Sequence, residues 1–319
     1  MYDDIPIILE DFLNYIETIR GKSPNTTKEY YYDLRTFFKF LKIRFRLVPS
    51  SEPFDEIEIR DIDEELMKRI RIEDLHAYIS YVDRERDNNS AAKARKVASI
   101  KSFFKYLHSI RKIIDDNPAT LLESPKISSR QPVYLSLPEA ERLLDTVKES
   151  GGKNTERDYA ILTLFLNCGL RLSELVGIDI DKIRGDILTV VGKGNKERTI
   201  YLNCACVEAI EDYLKVRPSE KLKEPKALFV SRKRNRLGER AVQHMIKKYI
   251  KLSGLDPEKY SVHKLRHTAA TLMYKYGDVD IRALQQILGH ENVSTTQIYT
   301  HVDDDRLRDA VRKNPLANN

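Results

Sequence analysis

The sequence predicts a mostly α-helical protein of two domains, a helical bundle followed by a mixed α/β domain with a small antiparallel β-sheet. Three observations predict this fold class. Apolar residues recur at three- and four-residue spacing over residues 7–122, which is the period of an amphipathic helix. A stretch rich in Pro and Ser then interrupts the pattern. Beyond it, helical segments flank two β-rich arms that are joined by a Gly-containing turn.

The chain has 319 residues, and that length favours two hydrophobic cores over one. The interruption at 125–132 carries two prolines and no apolar period, which is typical of a linker. We therefore predict a helical domain at 1–124, a linker at 125–132 and a second domain at 133–319 that ends in a tail helix.

The first domain shows helix signals in order along the chain. Ser23 followed by Pro24 marks the start of the second helix. A third helix comes next, and the fourth helix is predicted at 90–110. The fourth helix is predicted to turn bases outward, a face that fits DNA phosphates but is also typical of a solvated helix surface. Residues 44–67 form an acidic connection to which we assign no function. The predicted outward bases are Lys93, Arg95, Lys96, Lys101 and Lys105.

The second domain begins with a helix capped by Ser136. The segment 156–168 is apolar nearly all round, which indicates a central buried helix. Residues 187–191 and 197–202 predict a β-hairpin, and 228–230 is a candidate short strand.

Composition restricts the class of protein. Lys and Arg number 55 against 49 Asp and Glu, a net charge of +6 that fits a polyanionic partner without requiring one. We find no apolar run of membrane-spanning length and no secretory signal, so we expect a soluble, cytoplasmic protein. Three cysteines without metal-ligand spacing favour buried thiols, and we expect no metal site.

Two arginines are candidates for phosphate binding. Arg171 follows Gly169, whose freedom at positive φ lets one helix end and another start. Arg266 lies three residues after His263, which places both on one helix face. Two guanidiniums can hold two non-bridging phosphate oxygens and neutralise the transition state. Taken singly, each arginine is more typical of a structural ion-pair partner, such as Arg171 with Glu174.

Tyr299 is the candidate nucleophile. A phenol has a pKa of about 10, so it needs a base or positive surroundings for activation. His263 is a candidate proton acceptor, and His290 a hydrogen-bond donor to the phosphate or leaving group. Lys193, between two glycines at the hairpin turn, is a candidate general acid. Its surroundings lack the spacing of a P-loop, which argues against nucleotide binding there.

In order, these motifs resemble those of the tyrosine recombinases, and most of all those of the bacterial Xer recombinases and small integrases. The resemblance covers nearly the whole chain. The matching motifs are Gly-Leu-Arg-Leu-Ser-Glu-Leu around Arg171, Gly-Lys-Gly-Asn-Lys-Glu-Arg around Lys193, His-Lys-Leu-Arg-His at 263–267, Leu-Gly-His at 288–290 and Ser-Thr-Thr-Gln-Ile-Tyr-Thr-His-Val at 294–302.

The resemblance implies a core-binding (SAM-like) bundle and a mixed α/β catalytic domain that clamp duplex DNA. It also implies an activating set consisting of Arg171, Lys193, His263, Arg266 and His290, with Tyr299 as the nucleophile. Attack would form a 3′-phosphotyrosyl link and free a 5′-hydroxyl, without a cofactor. Four protomers, identical or shared with a second recombinase, would exchange strands through a Holliday junction at a short inverted-repeat site. A DNA translocase is a further candidate partner.

Several alternatives stay open at this point. The native role can be chromosome dimer resolution or the movement of a mobile element. A type IB topoisomerase-like enzyme shares the nucleophile chemistry but relaxes supercoils. A DNA-binding regulator without catalysis belongs to a different class, and it has no use for the complete set of reactive residues. The tail carries an apolar stripe beside bases, which predicts packing on its own domain or on a neighbouring protomer.

Overall fold

The computed structural model describes residues 4–49, 51–86, 88–125, 132–192, 196–290 and 292–299. The chain divides into two compact units, Met1–Ser128 and Ser129–Asn319, each with its own hydrophobic core. Most of the predicted linker, Lys193 and the predicted tail helix lie outside the described residues, so these stay predictions.

The first unit is the predicted helical bundle. Its helices are α1 (Ile7–Asn14), α2 (Pro24–Arg44), α3 (Glu64–Arg69), α4 (Ile72–Arg84) and α5 (Ser90–Lys105). Two π-helical turns, Tyr15–Ile19 and Tyr106–Ile110, extend α1 and α5. Ser23 and Asn89 cap α2 and α5, because their side chains accept backbone N–H groups of the first turn.

Aromatic side chains join three helices of this bundle. The ring of Phe103 on α5 lies edge-on to Phe12 of α1, with centroids 5.2 Å apart, and to Phe38 of α2, at 5.5 Å. Such pairs contribute about 0.5–1.5 kcal/mol beyond the area they bury. These contacts fix which face of α5 points inward.

The structure corrects the predicted orientation of Lys96. Its side chain is buried, and its ammonium lies 2.9 Å from Oδ1 of Asp33 on α2, a carboxylate that is only 1% exposed. Arg95 pairs with the other oxygen of Asp33 at 2.7 Å. Helical period alone could not show this, because the facing helix carries a buried carboxylate that requires a counter-charge. Lys93 pairs with Asp83, and Lys101 is half-buried.

The acidic connection at 44–67 has a structural role. Lys39 on α2 donates to the backbone carbonyl of Asp55 at 2.7 Å, and Lys42 forms an ion pair with Asp61 at 2.8 Å. Two bases of α2 therefore hold the connection against the bundle. The connection in turn buries three isoleucines, at positions 57, 59 and 62.

The second unit contains the remaining elements. Its helices are α6 (Leu137–Glu149), α7 (Thr155–Cys168), α8 (Leu172–Val176), α9 (Cys204–Val216), α10 (Glu239–Leu252), α11 (Val262–Tyr276), α12 (Ile281–Leu288) and α13 (Ser294–Gln297). Its strands are β1 (Ile183–Arg184), β2 (Ile187–Val191) and β3 (Glu197–Tyr201). Ser136 and Glu139 form a capping box at the start of α6. The central helix α7 is buried on almost all sides, as predicted.

The sheet is antiparallel, in the order β1-β2-β3. Leu188 pairs with Ile200 across β2 and β3, and both side chains are buried, so one face of the predicted hairpin covers the core. The sequence missed β1, because a strand of two residues is too short to show a period. The candidate strand at 228–230 is a buried segment with a single bridge from Val230 to Arg236.

Within the described ranges, no helix is both long enough and apolar enough to cross a bilayer.

Candidate active site

A junction between two helices places Arg171. Helix α7 ends at Gly169, which adopts the left-handed conformation with φ of 59°, and α8 begins directly after Arg171. A Cβ at position 169 would also lie 2.8 Å from a methyl carbon of Leu288. Both the backbone conformation and the close approach require glycine here. The junction places Arg171 at the end of α12, where its guanidinium donates to the carbonyl of Gly289.

The buried carboxylate of Glu174 organises three arginines. Arg171 donates to it from Nη1 at 2.7 Å and from its backbone N–H at 2.8 Å, and Arg198 donates from Nη2 at 2.8 Å. Arg266 lies 3.9 Å away. Burial alone would raise the pKa of Glu174, but the hydrogen bonds and charge of Arg198, together with Arg171, lower it to about 2. The carboxylate is therefore ionised at neutral pH.

The carboxyl end of α12 holds the same three guanidiniums. Arg266 donates to the carbonyl of Leu288 at 2.6 Å, Arg171 donates to that of Gly289 at 2.7 Å, and Arg198 donates to that of Ile287. The last carbonyls of a helix have no partners within the helix and carry partial negative charge. Three consecutive carbonyls thus set three cations side by side.

The site has a positive charge in excess. Three guanidiniums surround one carboxylate, which leaves a net charge of two positive among these four groups. Burial, and then the charge of Arg171, lowers the pKa of Arg266 to about 10, so it stays protonated at neutral pH. A cleft of about 390 Å³ opens beside Arg171, Arg198 and His290. A guanidinium has five N–H donors, so these contacts leave donors for a bound anion.

His290 lines this cleft as a neutral imidazole. Its Nδ1 lies 2.9 Å from the hydroxyl of Thr296 on α13. Burial, followed by the positive charges of Arg266 and Arg171, lowers the pKa of His290 to about 4. A neutral imidazole in this position can donate one N–H to an anion without adding charge.

Tyr299 lies next to the arginines but is buried. Its side chain is 1% exposed and packs in a small cluster with Ala270, Leu284 and Leu288. Its hydroxyl lies 2.8 Å from Nδ1 of His267. Burial raises the pKa of Tyr299 to about 12, although the charge of Arg266 opposes the rise. The phenol is therefore protonated and shielded in this conformation.

The structure brings together four of the six residues predicted to be catalytic. Arg171, Arg266, His290 and Tyr299 meet around the end of α12. His263 is exposed in the first turn of α11, and the partner of the Tyr299 hydroxyl is instead His267. The two histidines are four residues apart, which places them on one helix face, and His267 lies one turn deeper. Lys193 is outside the described residues.

Sequence reasoning missed three residues of this site. Arg198 lies in the same motif as Lys193, and Glu174 entered only as an alternative ion-pair partner of Arg171. His267 adjoins Arg266. Residue type gave no signal, because arginine and glutamate are usually solvated and only the packing shows that these are buried together. Their position inside the recognised motifs was the one available signal.

An anion site formed by arginines beside a tyrosine is the arrangement expected of an enzyme that transfers a phosphoryl group to a phenol. Comparison with known proteins agrees with this class. Residues 134–306 match the model of the phage integrase family. The chain is also 58% identical over 312 residues to the tyrosine recombinase XerC of Caldanaerobacter subterraneus subsp. tengcongensis, across 98% of this chain and 88% of that protein. This chain therefore belongs to the phage integrase family, the tyrosine recombinases.

Other similarities extend over nearly the full length. The tyrosine recombinase XerD of Proteus mirabilis is 33% identical, across 96% of this chain and 92% of that protein. A crystal structure of the XerH site-specific recombinase bound to difH substrate, in a pre-cleavage complex, has a TM-score of 0.69 at 22% identity, across 96% of this chain and 84% of that chain. The Tn1549 transposon integrase in complex with transposon right end DNA has a TM-score of 0.71 at 19% identity, across 96% of this chain and 98% of that chain. These two structures show the fold.

Proposed function

We propose that this chain is a site-specific DNA recombinase that cleaves and rejoins duplex DNA through a 3′-phosphotyrosyl intermediate, with Tyr299 as the nucleophile. The observation that carries the proposal is the group of three guanidiniums around Glu174, next to a buried tyrosine that packs against the end of α12. The family membership supports the same reaction.

The arginines supply the electrostatic part of the mechanism. Arg171 and Arg266 would each hold a non-bridging oxygen of the scissile phosphate, with the positive charge that a pentacoordinate transition state requires. Both are fixed by carbonyls and by Glu174 before DNA arrives, so little reorganisation is needed at the moment of reaction. His290, neutral and in the same cleft, would donate a hydrogen bond to the phosphate.

The covalent steps conserve the phosphodiester. The Tyr299 oxygen bonds to phosphorus as the bond to the 5′-oxygen breaks. His263 would take the phenol proton, and Lys193 would protonate the leaving oxygen. His263 completes the activating set that the family resemblance implies. The freed 5′-hydroxyl of one strand then attacks the phosphotyrosine of a partner duplex, which releases the phenol. No bond energy is lost to water, so neither a nucleotide nor another cofactor is needed.

DNA and further protomers are the partners of this reaction. A lambda integrase tetramer bound to a Holliday junction shares the fold, with a TM-score of 0.63 at 18% identity. We propose a tetramer on a short inverted-repeat crossover site, formed by this chain alone or with a second recombinase. The XerC and XerD relatives favour chromosome dimer resolution, in which a DNA translocase would take part, over the movement of a mobile element.

The test is to trap the covalent intermediate. The crossover site is first recovered by selecting bound sequences from a random duplex library, and is then synthesised with a nick that lets the cleaved end escape. We expect a covalent protein–DNA adduct that Tyr299→Phe abolishes while DNA binding is kept. Tyr249→Phe removes the hydroxyl of another buried tyrosine of the same unit and serves as the matched control. Adduct formation by Tyr299→Phe would contradict the proposal.

A second readout separates recombination from relaxation. Two labelled duplexes that carry the site should yield products with exchanged strands. Relaxation of a supercoiled plasmid without exchange would indicate a topoisomerase-like enzyme, and binding without either reaction would indicate a regulator.

A further inference from the structure

The candidate nucleophile is inaccessible in this conformation, and the reason is specific. Tyr299 is 1% exposed, and its ring is covered by Ala270, Leu284 and Leu288. A phosphate oxygen held by Arg171 could not approach the phenol without displacing this packing. The inference that follows rests on the proposed role of Tyr299 as the nucleophile.

Two imidazoles hold the short helix that precedes the tyrosine. His267 on α11 contacts the Tyr299 hydroxyl at 2.8 Å, and His290 contacts the Thr296 hydroxyl at 2.9 Å. Helix α13 has only four residues, far fewer than a helix needs for stability on its own. Its position therefore depends on side-chain contacts of this kind.

His267 cannot act as the proton acceptor in this geometry. Burial, with the positive charge of Lys264 and of neighbouring groups, lowers the pKa of His267 to about 4, while that of Tyr299 is raised to about 12. Moving the proton from the phenol to the imidazole is then disfavoured, because both pKa shifts favour the neutral pair. The contact keeps the phenol neutral, so its role is to hold the tyrosine in place.

We propose that His267 is the positioning residue that keeps Tyr299 in a shielded resting position, and that this hydrogen bond breaks before the hydroxyl reaches a phosphate held by Arg171 and Arg266. The proposal gives His267 a role distinct from that of His263, one turn earlier on α11. The hydrogen bond limits the fraction of molecules whose nucleophile is available.

A pair of matched variants isolates the hydrogen bond from the packing. His267→Phe keeps a ring in the site but offers no hydrogen-bonding atom. His267→Asn places an amide oxygen or nitrogen where Nδ1 lies. Because an amide has both a donor and an acceptor, it can replace Nδ1 in either role. A role in packing alone predicts the opposite ranking of the two variants.

The first measurement needs no DNA. Tetranitromethane nitrates accessible tyrosines, and peptide mass spectrometry reports each position. In the unmodified protein Tyr299 should be nitrated as slowly as buried Tyr249. Tyr201, which is 74% exposed, gives the nitration rate of an accessible tyrosine. His267→Phe should raise the nitration of Tyr299 about five- to tenfold, the population change that loss of one hydrogen bond produces. His267→Asn should stay near the wild-type rate.

Adduct formation on the nicked duplex is the second measurement. The single-turnover rate of His267→Phe should equal or exceed that of the unmodified protein, because more molecules have an available nucleophile. Three outcomes would overturn the proposal: protection of Tyr299 in His267→Phe, equal exposure in both variants, or loss of the adduct in His267→Phe with Tyr249 still protected. Nitration tests the hydrogen bond even if Tyr299→Phe still forms an adduct and the proposed function is wrong.

A spectroscopic measurement covers the case in which His267→Phe unfolds, which Tyr249 would report by becoming reactive. Imidazole ¹⁵N spectra of the unmodified protein should show His267 as a single neutral tautomer held by its contact with the hydroxyl. Tyr299→Phe should shift the His267 nitrogen signals towards those of a mixed population. Identical His267 signals in the two proteins would overturn the proposal.

Discussion

Glu174 and Arg198 are 24 residues apart in the chain, and two hydrogen bonds join them, at 2.8 Å from Nη2 to Oε2 and 3.2 Å from Nε to Oε1. This bidentate pair ties strand β3 to helix α8. Since Arg198 is the second residue of β3, the same carboxylate that orients Arg171 also anchors the start of this strand.

Glu174→Gln should destabilise the second unit and change its response to acid. The pKa of this carboxyl is lower in the folded state, about 2, than the 4.5 of a free glutamate. The stabilisation is therefore complete above about pH 5 and is lost as the pH falls towards 2, and it amounts to about 3 kcal/mol. Urea unfolding between pH 7 and 3 measures it.

In Glu174→Gln, most of the change in the free energy of unfolding between pH 7 and 3 should be absent. Glu258→Gln changes an exposed carboxylate that pairs with Lys247, and it should shift stability by less than about 0.5 kcal/mol. Identical pH profiles for Glu174→Gln and the unmodified protein would show that the buried ion pairs do not set the acid limit.

Replacing Arg171 or Arg266, the two arginines proposed to bind the scissile phosphate, by lysine should slow cleavage strongly. One missing preorganised donor is worth about 2.7–4 kcal/mol, or about 10²–10³ in the rate of adduct formation. Arg217→Lys is the matched control, because that guanidinium instead holds the carbonyls of Ala227 and Leu228. Cleavage should proceed in a chelator without a nucleotide. Strict dependence on magnesium, or full activity of the Arg171→Lys and Arg266→Lys double variant, would contradict this role.

Gly289→Ala should impair both stability and cleavage. Gly289 has φ of 63°, and a Cβ there would lie 2.8 Å from Cδ of Arg198. Gly254→Ala imposes a similar backbone strain at φ of 72° with nothing within 4 Å, so it isolates the strain of about 1–2 kcal/mol. Chemical denaturation and single-turnover cleavage should separate the two variants. Equal losses in both would mean that the arginine cluster tolerates the added carbon.

The lysines of α5 should separate into two groups. Lys93→Gln with Lys101→Gln should leave stability near normal and reduce the salt dependence of DNA affinity, by about 0.9 in the log–log slope for each phosphate that is no longer neutralised. Lys96→Met should instead destabilise the first unit by about 3–5 kcal/mol, because it leaves Asp33 buried with less compensation. An unchanged slope in the double variant would show that Lys93 and Lys101 do not touch DNA.

Much of this protein was predictable from local patterns. Helical period predicted the bundle and the buried helix α7, and a glycine after a helical run predicted the junction at Gly169. The hairpin was visible because its two arms are β-rich and a short Gly-containing sequence separates them. Residue type within recognisable motifs made Arg171, Arg266, His290 and Tyr299 candidates, since phosphoryl transfer to a phenol needs guanidiniums, imidazoles and a hydroxyl. The structure places these four candidates together at the end of α12.

Contacts between distant segments were beyond those patterns. Lys96 was wrongly placed outward, because its buried partner Asp33 lies 63 residues earlier in the chain. The choice of His267 over His263 as the partner of Tyr299 also depended on packing, since a helix face offers both and only the depth of burial distinguishes them. Sequence by itself determined which chemical groups the site contains. The tertiary structure decided which of them touch, because burial forces each charge and each hydroxyl to find a partner wherever the fold provides one.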